Sequence, residues 1–341
     1  MRPSLISKAL HVCLQANRSL LLWGSPGVGK SNLVSQYADD NDYELVDLRL
    51  SQLDPVDLRG CPKIDLEEML TRWCPPDFLP QSGRGIIFLD EITSAAQATQ
   101  AAAYQLVFDR RLGNYIVPPE WRIVGASNRM TDRAIVNQMA TPLRNRFTSI
   151  DVDTHSEDWC RWAMRNDIVD EVIGFIRFRP EMLNEFEPRA PSPNETQRMA
   201  AVRESRSFAT QRSWHALSDQ FKVGIPKEIE AEMYTGNVGS VASAEFHAYV
   251  TNLRNMPNLD VILLDPANAR VPTEPSAKYA VSVGLASRST VDNFDRVMKY
   301  AIRLDPEFQS LLVRDAQYRK PELTSTKAFQ QWAIANANEL L

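Results

Sequence analysis

The segment 24–31, which reads Gly-Ser-Pro-Gly-Val-Gly-Lys-Ser, constrains the fold of this chain more than any other feature. It fits the GxxxxGK[ST] pattern, in which glycines let successive backbone N–H groups turn toward phosphate oxygens. Residues 19–23 before it predict a short buried strand, and residues 32–38 after it predict the first turns of a helix. A helix N-terminus adds partial positive charge at that point. The sequence therefore predicts a strand–loop–helix unit that binds phosphate.

Every residue of this loop is a candidate for contact with a nucleotide. Lys30 would reach the β- and γ-phosphates, and the hydroxyl of Ser31 would bind Mg²⁺. The residues predicted to bind the nucleotide are Gly24, Ser25, Pro26, Gly27, Val28, Gly29, Lys30, Ser31 and Asn32. The alternative is an ordinary glycine-rich turn, which the flanking strand and helix patterns disfavour.

Further strands alternate with helices over the first half of the chain. The predicted strands are 43–48, 85–89, 121–126 and 149–152. Residues 85–89 form a continuous apolar run, which is typical of a strand buried on both faces of a parallel sheet. Residues 95–109 are rich in Ala and Gln and predict a helix. This order predicts an α/β fold with a five-stranded parallel sheet flanked by helices.

The pattern changes after about residue 155, where helical apolar spacing replaces the strands. Residues 187–206 are rich in Pro, Glu and Arg and predict a loop or linker. A chain of 341 residues is too long for one typical core. We therefore predict an α/β nucleotide-binding domain over 1–154, a helical lid over 155–255 and a small, mostly helical C-terminal extension over 256–341.

An acidic pair, Asp90 and Glu91, directly follows the predicted strand 85–89. In open α/β sheets, ligands bind in the crevice at the carboxyl ends of the strands. Asp90 is therefore predicted to hold Mg²⁺ together with Ser31, and Glu91 to polarise the attacking water. The alternative is a pair of solvated acids at the start of a loop.

Asn128 and three arginines are further candidates for catalysis. Asn128 follows the strand 121–126, where its amide would orient the attacking water; alone, such an Asn is more often a turn residue. Arg144 and Arg146 are candidates for an arginine that meets transition-state charge, supplied by the same subunit or a neighbour. Arg212 opens a predicted helix, from which it would touch the γ-phosphate. The alternative for all three arginines is a solvated surface position.

Composition excludes several classes of protein. The formal net charge of -5 provides no basic field, so binding to nucleic acid is not expected from charge. We find no apolar run of the length that a membrane span needs and no secretory hydrophobic region at the N-terminus. The four cysteines form no CxxC pair, which predicts reduced, mostly structural thiols in a cytoplasmic protein.

Taken in order, the segments 24–31, 90–91, 128, 144–147 and 212 resemble those of an AAA+ ATPase. Within that superfamily the chain is similar to the MoxR-type branch. The segments that carry the narrower resemblance are 53–62, 73–80 and 103–115.

The resemblance implies an ATPase that uses Mg²⁺ and assembles into rings, usually hexamers, with ATP at the subunit interfaces. Arg146 would then be an arginine finger supplied in trans, with Arg144 as the second choice. Asn128 would be sensor 1 and Arg212 sensor 2. The segment 54–80 would carry an insert and a pore-facing loop, and residues 110–118 would form a hairpin before sensor 1.

The resemblance also implies a class of partner. MoxR-like proteins commonly work with a protein that contains a von Willebrand factor A domain, which they remodel or help to load. This sequence has no DxSxS metal-site motif, so another chain would supply that domain. Two other functions remain open at this point: a DNA motor or helicase loader on the same core, which the acidic charge disfavours, and a module that binds ATP without hydrolysing it, which Glu91 disfavours.

Overall fold

A computed structural model describes residues 1–129, 139, 145–186, 200, 202, 205–254 and 258–336. By its internal contacts the chain divides into two units, Met1–Thr154 and His155–Leu341. The predicted limits of the three domains stay predictions. Arg144 and most of the predicted 187–206 loop lie outside the described residues.

The centre of the first unit is a sheet of five parallel strands. These are β1 (Ser19–Trp23), β2 (Glu44–Arg49), β5 (Gly85–Asp90), β8 (Trp121–Ser127) and β9 (Phe147–Asp151). Their order across the sheet is β2-β5-β8-β1-β9, with every neighbouring pair parallel. The α/β class, the parallel sheet and all five predicted strands are therefore confirmed.

Apolar side chains on alternate residues of the strands bury both faces of this sheet. Ile87 and Leu89 of β5 belong to a core that also contains residues of α3 (Pro55–Arg59) and α4 (Gln97–Asp109). The β5 residues that point to the other face belong to a second core, which also contains residues of α1 (Pro3–Gln15) and α2 (Lys30–Asp40). Burial on both faces explains why the strand reads as a continuous apolar run.

Two short antiparallel hairpins are added to this sheet. The first pairs β3 (Cys61–Asp65) with β4 (Leu70–Cys74), and it lies in the sequence between β2 and β5. The second pairs β6 (Arg111–Leu112) with β7 (Tyr115–Ile116), inside the segment 110–118 where a hairpin is expected.

The second unit is helical over its described residues. Its helices are α5 (Ser156–Arg165), α6 (Asp170–Phe178), α7 (Gln211–Val223), α8 (Glu230–Arg254), α9 (Leu259–Leu264), α10 (Pro275–Arg288), α11 (Phe294–Ala301), α12 (Pro306–Arg319) and α13 (Lys327–Ala335). Helix α8 is kinked at Gly239, whose φ of 80° is not helical. Helix α10 contributes side chains to both apolar cores of this unit, because Val283 packs in one and Leu285 in the other.

Candidate functional site

The sheet order brings the predicted site residues of the first unit to one edge. The phosphate loop follows β1, Asn128 follows β8, and the pair Asp90-Glu91 lies at the end of β5. Strands β5, β8 and β1 are neighbours and parallel, so their carboxyl ends lie side by side. This is the edge at which open α/β sheets bind ligands.

The phosphate loop takes the backbone form that its glycines permit. Gly27 and Gly29 have φ of 73° and 90°, in the left-handed region that other residues rarely adopt. Gly29 is the residue before α2, and a Cβ built on it meets no atom within 4 Å. The loop therefore needs glycine at this position because of its backbone angles and not because a side chain would lack space. The loop ends at the N-terminus of α2, where the helix adds partial positive charge.

Lys30 bridges the loop and the neighbouring strand. Its side chain is buried, and its Nζ donates hydrogen bonds to the carbonyl oxygens of Gly24 and Ser25, at 2.9 and 3.1 Å. It also donates to Oδ1 of Asn128 at 2.9 Å. An ammonium group in this position supplies positive charge between the loop and the end of β8, where a phosphate group would need it.

Ser31 and Asp90, the predicted ligands of Mg²⁺, are hydrogen-bonded to each other. The hydroxyl of Ser31 donates to Oδ2 of Asp90 at 2.8 Å, across the gap between α2 and β5. A hydroxyl and a carboxylate are oxygen ligands of the kind that Mg²⁺ prefers, and Mg²⁺ usually takes only one or two carboxylates beside phosphate and water. The donor set therefore fits Mg²⁺ bound together with a nucleotide.

The electrostatics of this edge favour a bound cation. The pKa of Asp47, on β2, is raised above its ordinary value by partial loss of water, and then by the negative charge of Asp90 and of Glu91, while Arg49 opposes the rise. The negative charge that Asp90 and Glu91 bring to this edge would be partly offset by a divalent cation. In the described part of the chain, no cluster of three or more His, Cys, Asp or Glu residues has the arrangement of a separate metal site.

Glu91 is held in place by two hydrogen bonds. Its backbone N–H donates to Oδ1 of Asp90 at 2.8 Å, and its carboxylate accepts a hydrogen bond from the hydroxyl of Ser51. Its φ of 56° places the residue in the left-handed region, where a side chain is strained. Ser51 lies in the short turn Leu50–Gln52 that follows β2. Sequence reasoning missed Ser51, because no motif marks it.

Asn128 is positioned by its neighbours as well as by Lys30. The preceding residue, Ser127, is buried and shares a hydrogen bond between its hydroxyl and that of Thr93, just after Glu91. The backbone N–H of Thr93 also donates to the Ser127 hydroxyl at 3.3 Å. The end of β8 is thereby tied to the turn that carries the acidic pair.

Arg146 lies at the opposite edge of the sheet from the phosphate loop. It directly precedes β9, whose first residue, Phe147, pairs with Ser19 at the start of β1. Four further residues of β1 lie between Ser19 and the phosphate loop. At the rise of a strand, they correspond to a distance of roughly 13 Å. The exposed side chain of Arg146 stacks on the ring of Phe108, with Cζ 3.8 Å from the ring centroid.

Arg212 is exposed and is the second residue of α7, in the second unit. The helix starts where the sequence predicts, because Thr210 and Ser213 form a capping box before it. The roles of Arg212 and of Arg144 stay predictions.

Comparison with known proteins finds a family match within the first unit. Residues 20–151 match the family described as "ATPase family associated with various cellular activities (AAA)". This segment, which holds the phosphate loop, the acidic pair and Asn128, is therefore similar to AAA ATPase domains. The match supports the prediction of an ATPase with ATP as its nucleotide and Mg²⁺ as the associated ion.

Several individual proteins are similar to parts or all of the chain. A curated relative, Midasin from Giardia intestinalis, is 32% identical over an alignment of 189 residues that covers 51% of this chain. The chain spans 4% of the length of that relative. Among solved structures, the RuvB Holliday junction branch migration motor from Thermotoga maritima is 16% identical over 88% of this chain and 87% of that one, with a TM-score of 0.40. NtrX from Brucella abortus in complex with ADP is 14% identical over 99% of this chain and 68% of that one, also with a TM-score of 0.40.

No helix in the described ranges combines the length and the apolar character needed to cross a membrane. The cytoplasmic location stays a prediction.

Proposed function

We propose that this chain is a Mg²⁺-dependent ATPase motor of the MoxR type, which assembles into a ring and remodels, assembles or activates a partner protein. One observation carries the proposal. At a single edge of the parallel sheet, the Ser31 hydroxyl meets the Asp90 carboxylate, Lys30 meets Asn128, and Glu91 lies beside them. A binder of phosphate alone has no need of a carboxylate base at this place.

Each of these residues has a role in hydrolysis. The backbone N–H groups of the loop and the N-terminus of α2 would hold the phosphates, and Lys30 would offset their charge. Mg²⁺ on Ser31 and Asp90 would neutralise charge on the phosphate oxygens. Glu91 would accept a proton from the attacking water, and Asn128 would orient that water against the γ-phosphate.

A neighbouring subunit would complete the site. Arg146 lies at the amino edge of the sheet, about one strand length from the loop of its own chain, so it does not meet its own nucleotide. An arginine in that position acts on the nucleotide of an adjacent copy, where it stabilises transition-state charge. This placement favours a ring with ATP at the interfaces between copies.

The ATPase part of the proposal is tested by Glu91→Gln. We expect this variant to bind Mg-ATP with nearly unchanged affinity while kcat falls by about 10²–10⁴-fold, since a general base contributes that much. Binding is measured with a fluorescent ATP analogue and turnover by phosphate release. Lys30→Ala should lose binding itself.

Glu120→Gln is the matched control, because it makes the same change of charge at an exposed residue just before β8, at the amino end of the neighbouring strand. It should retain wild-type turnover. Normal turnover in Glu91→Gln, or an equal loss in both variants, would remove Glu91 from the role of base.

The partner is inferred from the MoxR-like segments 53–62, 73–80 and 103–115 alone. We infer a protein with a von Willebrand factor A domain. With Mg-ATP, the Glu91→Gln variant should retain such a protein in co-purification from its own cells, and Lys30→Ala should not. The retained chain is identified by mass spectrometry and must contain a DxSxS motif. Retention of nucleic acid instead, lost steeply with salt, would favour the DNA motor.

A further inference from the structure

The hairpin of β3 and β4 places Cys61 directly opposite Cys74. Its antiparallel register pairs these two residues at one end and Asp65 with Leu70 at the other. Both cysteines are exposed and carry free thiols. In the sequence they are distant and belong to no motif, so only the strand pairing shows that they are neighbours.

The register of this hairpin is fixed at both ends. Before it, Leu58 is fully buried in the core of the first unit, and after it Leu79 is buried in the same core. At the tip, Asp65 accepts hydrogen bonds from the turn, and Arg72 forms ion pairs with Asp65 and Glu68. A slip by one residue would put the two thiols on opposite faces of the ribbon, and these contacts oppose such a slip.

The geometry of an opposed pair suits a disulfide. Directly opposite residues of antiparallel strands have Cα atoms about 4.5 or 5.5 Å apart, depending on their hydrogen bonding. Disulfides span Cα separations of about 4.4–6.8 Å, so either case fits. Side chains of opposite residues also point to the same face. The other two cysteines, Cys13 and Cys160, are buried, so they do not compete for a reagent in solution.

We propose that Cys61 and Cys74 form a dithiol site that undergoes thiol–disulfide exchange with a low-molecular-weight disulfide such as oxidised glutathione. One cysteine thiolate attacks the disulfide, which forms a mixed disulfide and releases one glutathione thiol. The second cysteine thiolate attacks the cysteine sulfur of the mixed disulfide and releases the other. Two electrons pass from the protein to oxidised glutathione, and the protons of the two cysteine thiols are recovered on the two glutathione thiols.

The bridge would tie together the base of a hairpin whose outer part carries several exposed apolar side chains. Ile64, Leu66, Met69 and Leu70 all present more than half of their surface to water. With the bridge closed, the two strands that present these side chains are unable to separate. With the thiols free, backbone pairing and the ion pair of Arg72 with Asp65 hold the strands together.

The test uses the full chain in glutathione buffers of increasing oxidised fraction. Each sample is quenched with acid, free thiols are alkylated after unfolding, and the mass of the intact protein and of its peptides is measured. We expect two of the four cysteines to escape alkylation, with a peptide link between Cys61 and Cys74 and no added glutathione. Dithiothreitol should restore all four thiols.

The matched control keeps two exposed thiols but breaks the pairing. Cys74→Ser combined with Trp73→Cys moves the second thiol by one residue, to the opposite face of the ribbon. It should gain glutathione and form no internal bridge, and far-UV circular dichroism checks that it is folded. An internal bridge in both proteins, glutathione adducts alone in the wild type, a link between two copies, or thiols that resist oxidation would each overturn the proposal.

Discussion

Glu91 holds a backbone conformation that residues with a side chain seldom adopt. Such a conformation costs on the order of 1–3 kcal/mol and persists only where the surroundings enforce it. Here the Asp90 carboxylate accepts a hydrogen bond from the backbone N–H of Glu91, and the hydroxyl of Ser51 donates one to the Glu91 carboxylate. The strain thus directs one carboxylate toward β2 and leaves the other beside Ser31. Two adjacent acids can therefore have two different roles.

Ser51→Ala should lower turnover without affecting binding. The hydroxyl holds the Glu91 carboxylate, and a hydrogen bond to a charged group is worth about 1.5–3 kcal/mol, so we expect kcat to fall by about 10- to 100-fold while the affinity for Mg-ATP stays unchanged. Ser51→Thr keeps the hydroxyl and should retain most of the activity. Phosphate release measures kcat, and an unchanged or increased rate in Ser51→Ala would contradict the positioning role.

At the residue scale, most of the candidate site could be predicted from the sequence. Lys30, Asp90 and Asn128 each lie next to a strand end, and parallel strands bring their carboxyl ends together whatever the details of packing. Ser51 could not be predicted, because its contact with Glu91 depends on β2 lying beside β5. That order of strands is a property of the whole sheet and leaves no local pattern in the sequence.

At the scale of elements, the exposed hairpin depends on one glycine. Gly60 immediately precedes β3 and has a φ of 82°. A Cβ on this residue would lie 1.9 Å from the carbonyl oxygen of Cys74, which is backbone and has little freedom to move. Only a residue without a side chain allows the two strands to approach each other here.

Gly60→Ala should therefore destabilise the hairpin. We expect about 1–3 kcal/mol from the backbone conformation, whose φ of 82° with ψ of −169° is essentially restricted to glycine, and a further 1–3 kcal/mol from the overlap. Gly83→Ala is the matched control, because Gly83 has the same φ but its Cβ would have no neighbour closer than 4.0 Å. Amide hydrogen exchange over 61–74 should accelerate at least tenfold more in Gly60→Ala than in Gly83→Ala. Equal exchange rates would show that the overlap is relieved.

In the second unit, one buried arginine joins three helices. Arg177 on α6 forms ion pairs with Glu157 on α5 and with Asp315 on α12, the latter at 2.5 Å. Burial raises the pKa of Asp315 to about 6; Arg177 opposes the rise, and Glu157 adds to it. Arg319 and Arg161 also oppose the rise, so loss of water on burial is its main cause.

This raised pKa has a defined effect on stability. The folded state binds the proton of Asp315 more tightly than the unfolded state, so protonation favours folding. The contribution is present below the ordinary pKa of 3.8 and is lost as pH rises through about 6. Relative to Asp315→Asn, the free energy of unfolding of the wild type should fall by up to about 3 kcal/mol between pH 4 and 7.

Urea unfolding at several pH values measures that difference. Asp292→Asn, at an exposed carboxyl of the same unit, is the control and should track the wild type at every pH. A difference between wild type and Asp315→Asn that stays flat, or that grows in favour of the wild type as pH rises, would contradict the assignment.

The strands of the central sheet and those of the hairpin differ in how well the sequence predicts them. The strand 85–89 is apolar throughout because both of its faces are buried, and that pattern is readable. Strands β3 and β4 are almost wholly exposed, so no alternation of apolar and polar residues marks them. What holds them in place, Leu58 and Leu79, lies outside the strands themselves.

At the scale of the whole molecule, the placement of Arg146 predicts complementation between defective copies. Arg146→Ala should bind Mg-ATP but hydrolyse it at least 10³-fold more slowly. Lys30→Ala keeps its arginine but lacks a functional loop. If the arginine acts in trans, mixing the two variants should restore a measurable part of the wild-type rate, because some interfaces then combine an intact loop with an intact Arg146.

The control mixes Lys30→Ala with Glu91→Gln. Glu91 and Lys30 serve the same nucleotide from the same chain, so this mixture should stay inactive. Co-purification of differently tagged variants checks that mixed assemblies form in both cases. Mixed assemblies that remain inactive in the first case would contradict the action in trans.

The ring itself is tested with Glu91→Gln, which should retain bound nucleotide. Its mass in solution should rise from about 39 kDa to roughly six times that value when Mg-ATP is added, as expected for a hexamer of a 38.6 kDa chain. Light scattering coupled to size exclusion measures the mass. Lys30→Ala should remain small, and a monomer of Glu91→Gln under all conditions would contradict assembly driven by nucleotide.

The residues alone make Arg146 a candidate, and the resemblance to AAA+ ATPases implies that it acts in trans. Support for that direction comes from β9 starting beside the start of β1, which places the arginine at the edge away from the loop. The position of Arg146 depends on which strands are neighbours in the sheet, and the short apolar runs of the sequence do not encode that order.

If Arg146 acts on the nucleotide of another copy, the ATPase rate would depend on the concentration of the protein. Each copy would carry two parts of an active site, the phosphate loop and Arg146, at opposite edges of its sheet. Neither part would hydrolyse ATP without the other part from a second copy. The rate per copy would then depend on how often copies meet, so dilution would lower specific activity itself. A cell would keep the ATPase activity low by keeping the concentration of this protein low. A modest rise in protein concentration would then raise total ATP consumption by a larger factor than the concentration itself.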